Sequence, residues 1–359
     1  TLTNVGETAN TFSYALNEGT KADNYEITKT EGTLKVTPVT DMVTVTIKGN
    51  TASEKYDGTE KTAIGYKVES ISNSLYTTND FTFGGTAEVK GTDAKTYPMG
   101  LKDSDFENTS ANFTNVTFDV TDGQLEITKR NVTLTSASDE KVYDGQPLTN
   151  GKVTIGGDGF VGDDNVTCDV TGTLTNVGET ANTFSYVLNE GTKADNYEIT
   201  KTEGTLKVTP VKDMVTVTIT GHTDTVTYNG SEQSITGYDV AISNGLYTEG
   251  DFSFSGTAEA KGTDADTYDM GLTADQFTNI SDNFTNVTFV VEKDGQLVIN
   301  PRSVTLTSGS AERVYNGEAL TKDEVTASTG ENEGFVKDEG AEYNVTGSQT
   351  DVGESKNTF

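Results

Sequence analysis

Gly204-Thr-Leu-Lys-Val-Thr-Pro-Val-Lys-Asp-Met-Val-Thr-Val-Thr-Ile219 sets two alternating runs on either side of a proline, and Gly32 to Ile47 repeats it with one change, Thr40 for Lys212. A side-chain period of two puts Leu206 and Val208, and then Val215, Val217 and Ile219, on one face of a strand while lysine and threonine line the other. The first run closes one unit and the second opens the next, so this stretch reads as a junction in an all-β array. Working outward, residues 1–47 and 173–219 match throughout except at Thr40/Lys212 and Ala15/Val187. A shorter third copy begins at Gly347, where Gly-Ser-Gln-Thr-Asp-Val-Gly-Glu-Ser-Lys-Asn-Thr-Phe359 echoes Gly172 to Phe184. The period is about 172 to 175 residues, the mark of a tandem array.

Two unlike units alternate within that period. The first type is complete over 131–210: it opens with Asn131-Val-Thr-Leu-Thr, turns at Lys141-Val-Tyr-Asp-Gly145 and closes with Asn196-Tyr-Glu-Ile-Thr and Gly204-Thr-Leu-Lys-Val-Thr. The second type fills 41–130 and 211–301, opening at Val43 to Ile47 or Val215 to Ile219 and closing at Gly123-Gln-Leu-Glu-Ile127 or Gly295-Gln-Leu-Val-Ile299. Residues 1–40 are the second half of a first-type unit and 302–359 the first half of another. Pro38, Pro210 and Pro301 stiffen the junctions, and the expected assembly is a rod of small domains, each touching its neighbours. The fold expected is a series of antiparallel Ig-like β-sandwiches, with β-grasp-like domains as the alternative.

Composition agrees with strands and turns: threonine, valine, aspartate and glycine abound, and the hydrophobic share is 32%. Asp-Gly and Asn-Gly tolerate the left-handed backbone of tight reversals. Each such turn follows a tyrosine, Tyr56, Tyr143, Tyr228 or Tyr315, which reads as an anchor tucking the turn onto a core. The recurring aromatics Tyr76, Phe81, Phe83, Phe106, Phe113 and Phe118, matched by Tyr247, Phe252, Phe254, Phe277, Phe284 and Phe289, read as core. Short helical turns are expected at Leu101 to Phe106 and Leu272 to Phe277.

Fifty-six acidic against 25 basic residues leave a net charge of −31, which repels nucleic acid and anionic membrane surfaces. No apolar run approaches the length of a membrane span and no signal-peptide pattern is present, so the chain reads as an excerpt of a longer protein with no membrane insertion in this segment. The single cysteine, Cys168, excludes an internal disulfide framework, and its counterpart in the third copy is Tyr343. That replacement argues for a small strand residue rather than a functional thiol.

The tyrosine-turn element followed by Gln146-Pro-Leu-Thr149, a Val-Gly-Glu-x-x-Asn-Thr-Phe segment and Asn-Tyr-x-Ile-x-x-x-x-Gly-x-Leu-x-Val resembles the MBG and YDG-type repeat domains of bacterial cell-surface adhesins. The second type matches more loosely, with Gly91 to Tyr97 in place of the Asn-Thr-Phe segment. The resemblance implies a non-catalytic, extracellular stalk or adhesive fibre on a bacterial cell surface, and brings no catalytic residues.

Nothing in the sequence assembles chemistry. His222 is the single histidine and faces Asn50 in the other second-type unit, so no recurring triad or histidine metal site exists. The acid clusters Asp163-Asp164 and Asp103-Ser-Asp105 lack calcium-loop spacing and read as solvated acids. Lysines suited to an isopeptide crosslink do not recur: Lys55 and Lys141 give way to Thr227 and Arg313, and Lys35 should face water. No catalytic, cofactor-binding or metal residue and no cofactor is therefore expected. The expected partners are neighbouring repeats and, through the half-units at 1–40 and 302–359, head-to-tail copies of the same chain. The second functional reading is an adhesive module for host glycans or mucin, with Tyr76, Tyr247 and Tyr97 as its weak candidates for sugar stacking.

Overall fold

The computed structural model describes residues 1–359, which form strands joined by turns and short 3-10 segments, with no α-helix. No helix is therefore long and apolar enough to cross a membrane. The contacts divide the chain into one unit made of Thr1–Ser138, Asn150–Gly172 and Ala181–Thr205, and another made of Asp139–Thr149, Thr173–Thr180 and Leu206–Phe359.

In the first unit the alternation of Val43, Val45 and Ile47 does what its period requires. All three are buried along the strand Val43–Gly49, while the threonines between them are half-buried rather than fully solvated. This strand lies between Tyr66–Ile71, antiparallel, and Val116–Thr121, parallel. After Gly49 the chain continues as Thr51–Lys55, and after Asp122–Gly123 its partner continues as Gln124–Thr128; these two again run parallel, with Thr96–Pro98 antiparallel on the far side. The opening and closing strands of the repeat thus pass together from one small sheet to the next. They come so close at the crossing that a Cβ on Gly49 would stand 2.3 Å from the Gly123 nitrogen. Only glycine fits such an approach, as in sandwiches whose strands switch sheets at a corner.

Antiparallel pairs Lys61–Ile64 with Glu88–Gly91 and Phe81–Phe83 with Phe106–Asn108 complete this repeat. Phe81, Phe106, Phe113, Phe118 and Tyr76 close on the three buried β-branched residues as an aromatic core. A 3-10 turn at Asp103–Asp105 occupies the expected helical position, its Asp105 carboxylate accepting from the Lys102 amide. Further along the first unit, Arg130–Ser136 lies between Val153–Gly157, antiparallel, and Tyr197–Thr202, parallel. Val166–Val170 pairs antiparallel with Phe184–Leu188.

The second unit repeats these devices. Val215–Gly221 lies between Tyr238–Ile242 and Val287–Lys293, and Thr223–Thr227 pairs parallel with Gln296–Asn300. The crossing glycines are Gly221 and Gly295, where a Cβ on the first would fall 2.1 Å from the second's nitrogen. A 3-10 turn stands at Ala274–Gln276, as expected. Gly204–Thr209 forms the middle of a three-stranded sheet between Asp139–Val142, parallel, and Gly178–Asn182. Leu206 and Val208 are buried there with Leu148 and packed by Tyr143, Leu174 and Val177.

The fold is all-β, built of many small antiparallel pairings as the alternation implies. The parallel pairing of first with last strands was not legible in the pattern, because side-chain period is the same in both senses.

Candidate functional site

The tyrosine turns do their work on the neighbouring repeat. Within the first unit Tyr56 is buried against Tyr197, their rings edge to face with centroids 5.5 Å apart. Asp164 accepts from the Tyr197 hydroxyl at 2.6 Å and the Tyr56 hydroxyl at 3.4 Å. Burial, and then the Asp164 charge, raise the Tyr56 hydroxyl above its ordinary range, and burial with the Asp164 hydrogen bond raises Tyr197 further. Around this pair Lys55 meets Asp158 at 2.9 Å and Lys193 meets Asp93 at 2.8 Å. Asn196 accepts from the Ala94 amide at 2.7 Å and donates to Asp93 at 3.1 Å. The apolar cluster runs straight through the junction, from Leu101, Leu125 and Ile127 to Val132, Leu134 and Phe184.

The second unit holds two further junctions. Tyr143 stands edge to face with Phe284, 5.7 Å between centroids, and the Val177 amide donates to Asn283 at 2.9 Å. Beyond residue 301, the Tyr228 hydroxyl donates to Glu339, the counterpart of Asp164, and Arg302 reaches the Gly334 carbonyl at 2.8 Å just as Arg130 reaches that of Gly159. Proline-bearing linkers are likewise zipped down, Val39 bridging to Phe113 and Val211 to Phe284. The tyrosines are anchors, as expected, but Tyr56, Tyr143 and Tyr228 anchor onto the adjoining repeat.

The Asn-Thr-Phe segment has an equally specific task. Asn182 is fully buried and donates to the carbonyls of Ala137 at 2.9 Å and Asn150 at 2.8 Å, while its own carbonyl accepts from Ser136 at 2.6 Å. It staples a chain corner, and Gly172 leaves room for its carboxamide.

The residues weighed for chemistry are scattered. Cys168 is half-buried in the strand Val166–Val170, and burial pushes its thiol up. His222 lies on the surface; its Nδ1 is 2.8 Å from the Thr236 carbonyl and its Nε2 3.4 Å from Asp239, and both contacts raise its pKa. Asp103 accepts from the Val120 amide at 3.1 Å and Lys141 pairs with Asp144 across its own turn. No cluster of three histidine, cysteine or acidic side chains is placed to hold a metal ion. Tyr76 and Tyr247 cannot serve as sugar platforms, because both rings are buried and their hydroxyls donate to Asn108 at 3.0 Å and Asn279 at 2.9 Å. Tyr97 is half-buried with its hydroxyl on the Asp93 carbonyl. Sequence reasoning missed the acceptors Asp164 and Glu339, whose only signal is that an acid recurs at the same place in both first-type units.

Among solved structures, the I9–I11 tandem from titin aligns at 12% identity over 70% of this chain and 99% of that one, with a TM-score of 0.15. No curated protein matches the chain. The family model for the MBG domain matches residues 215–301. The match spans the whole of one repeat, from its opening strand Val215–Gly221 to the end of its closing strand, and residues 215–301 of this repeat chain are an MBG domain.

Proposed function

We propose that this chain is a non-catalytic segment of a bacterial surface adhesin, an extracellular stalk or fibre that projects a distal domain or forms the filament itself. The observation that carries the reading is the recurring junction lock, in which a turn tyrosine of one repeat donates to an acid of the next, Tyr56 to Asp164 and Tyr228 to Glu339. Such locks suit repeats whose task is to hold their spacing, since side chains and not a flexible tether define each joint. The acidic surface supports solubility outside the cell. The experiment is antibody labelling of intact cells of the source organism together with small-angle scattering of the chain: surface labelling with an extended particle supports the stalk, and labelling only after lysis overturns it. A glycan array run in parallel reports specific retention if the chain is instead an adhesive module.

A further inference from the structure

Residues 302–359 rebuild part of a first-type repeat and leave one strand position open. Ser308 donates to the Asn357 carbonyl at 2.7 Å, and Asn357 donates to the carbonyls of Gly309 at 2.9 Å and Lys322 at 2.8 Å, the same corner that Ser136 and Asn182 make. Leu320 bridges Gln349 as Leu148 bridges Leu174. Between these walls runs a groove of about 780 Å³, bounded by Ser310–Asn316 on one side and Gln349–Glu354 on the other. The counterparts of those walls in the complete repeat are Asp139–Val142 and Gly178–Asn182, and the strand between them is Gly204–Thr209. In the groove Val314 is 90% exposed and Val352 88%.

The strand that fits is already in the chain. Gly32-Thr-Leu-Lys-Val36 is identical to Gly204 to Val208, yet Leu34 is 36% exposed where Leu206 is 0%. One edge of Gly32–Val36 pairs with Gly6–Asn10 and the other edge is unpaired. Just upstream, Tyr25 is 63% exposed where its counterpart Tyr197 is 3%.

We propose that the groove is a strand-acceptor site and that its ligand is the segment Tyr25 to Thr37 of a second copy of this chain. Gly32–Val36 adds parallel to 311–314, with Ala311 beside Leu34, Glu312 beside Lys35 and Arg313 beside Val36, the register seen between Asp139–Val142 and Leu206–Thr209. Leu34 and Val36 then cover Leu320 and Tyr315, removing two apolar surfaces at once. Charge agrees: Lys207 lies 3.8 Å from Glu140 and 3.6 Å from Glu179, and Lys35, already 3.7 Å from Glu7, gains Glu312. On its other edge the donor strand either keeps Gly6–Asn10 or exchanges it for Gly353 to Asn357, which the Asn357 corner anchors. The inference deepens the stalk reading by naming how copies join, and does not depend on where the protein resides.

A glycine supplies the discriminating variant. A Cβ at Gly204 would lie 2.5 Å from the Ser136 carbonyl oxygen, whereas at Gly32 it meets nothing within 4 Å. Gly32→Val therefore leaves the free chain intact and blocks entry beside Ser308. The test uses the full chain in light scattering across concentration, with Cys168→Ala, Lys35→Cys and Glu312→Cys combined for oxidative crosslinking. Masses in multiples of 38.2 kDa that vanish in Gly32→Val with an unchanged melting curve, and a crosslinked ladder absent from either single cysteine variant, are expected. A chain that stays monomeric at every concentration, or association that Gly32→Val leaves untouched, overturns the proposal, and surface labelling of cells is unaffected by either result.

Discussion

Tyr56 and Tyr197 stand edge to face across a repeat boundary, and both hydroxyls donate to the same oxygen of Asp164. One carboxylate thereby orients two rings from different repeats, and the apolar cluster beneath them is continuous. A joint built in this way couples the stability of the two repeats, because removing either ring opens the other's packing.

Tyr197→Ala is expected to lower stability by about 3–5 kcal/mol, as truncation of a buried aromatic does, and to loosen the first unit on both sides of residue 130. Tyr56→Phe keeps the ring and forfeits only the longer hydrogen bond, for a loss of about 1 kcal/mol. Hydrogen exchange resolves the two, with Tyr197→Ala speeding exchange in Arg130–Ser136 and in Gln124–Thr128 alike.

Asn182→Ala should cost about 2 kcal/mol, since it strips the donors from two buried carbonyls, those of Ala137 and Asn150. Asn182→Asp should be worse at neutral pH, because it places a carboxylate where no side chain compensates it. Thermal unfolding of the two variants orders them, and the reverse order would mean that the corner reorganises.

Gly221→Ala is expected to destabilise the repeat 215–301 by about 3 kcal/mol through a backbone collision with Gly295. Gly151→Ala is the control: its Cβ meets nothing within 4 Å, and its effect should be within about 0.5 kcal/mol. Urea denaturation followed by tyrosine fluorescence checks both.

Alkaline pH should weaken the second-type repeats. Burial raises the Tyr76 and Tyr247 hydroxyls to about 12 from the model value of 10.0, with the nearby Asp80 and Asp251 charges adding to the effect. A raised folded value means the native state holds its proton more tightly, so stability is full below pH 10 and declines as pH climbs toward 12, by about 1 kcal/mol per tyrosine at pH 11. Melting temperature followed alongside tyrosinate absorbance should show the buried hydroxyls ionising with unfolding, and Tyr76→Phe should flatten part of the decline.

Much of the fold was legible because burial follows a period of two. Val43, Val45 and Ile47, and Val215, Val217 and Ile219, are inside as the alternation requires, and Phe81 with Phe83 share a face. The parallel pairing of opening with closing strands was not legible, since the pattern fixes which side of a strand is apolar and says nothing of its neighbour. Nor were the junction locks, which depend on acids such as Asp164 that look like any other in a chain with 56 of them.

The sharpest division lies in two identical hexapeptides. Tyr25-Glu-Ile-Thr-Lys-Thr30 and Tyr197-Glu-Ile-Thr-Lys-Thr202 carry the same alternation, and sequence by itself determines that each has one apolar face to bury. The second is a strand beside Arg130–Ser136 with Tyr197 inside; the first is extended in no sheet with Tyr25 in solvent. Tertiary structure alone decides between these states, because a strand's backbone groups and its apolar face are satisfied only by the neighbour that the rest of the fold brings alongside.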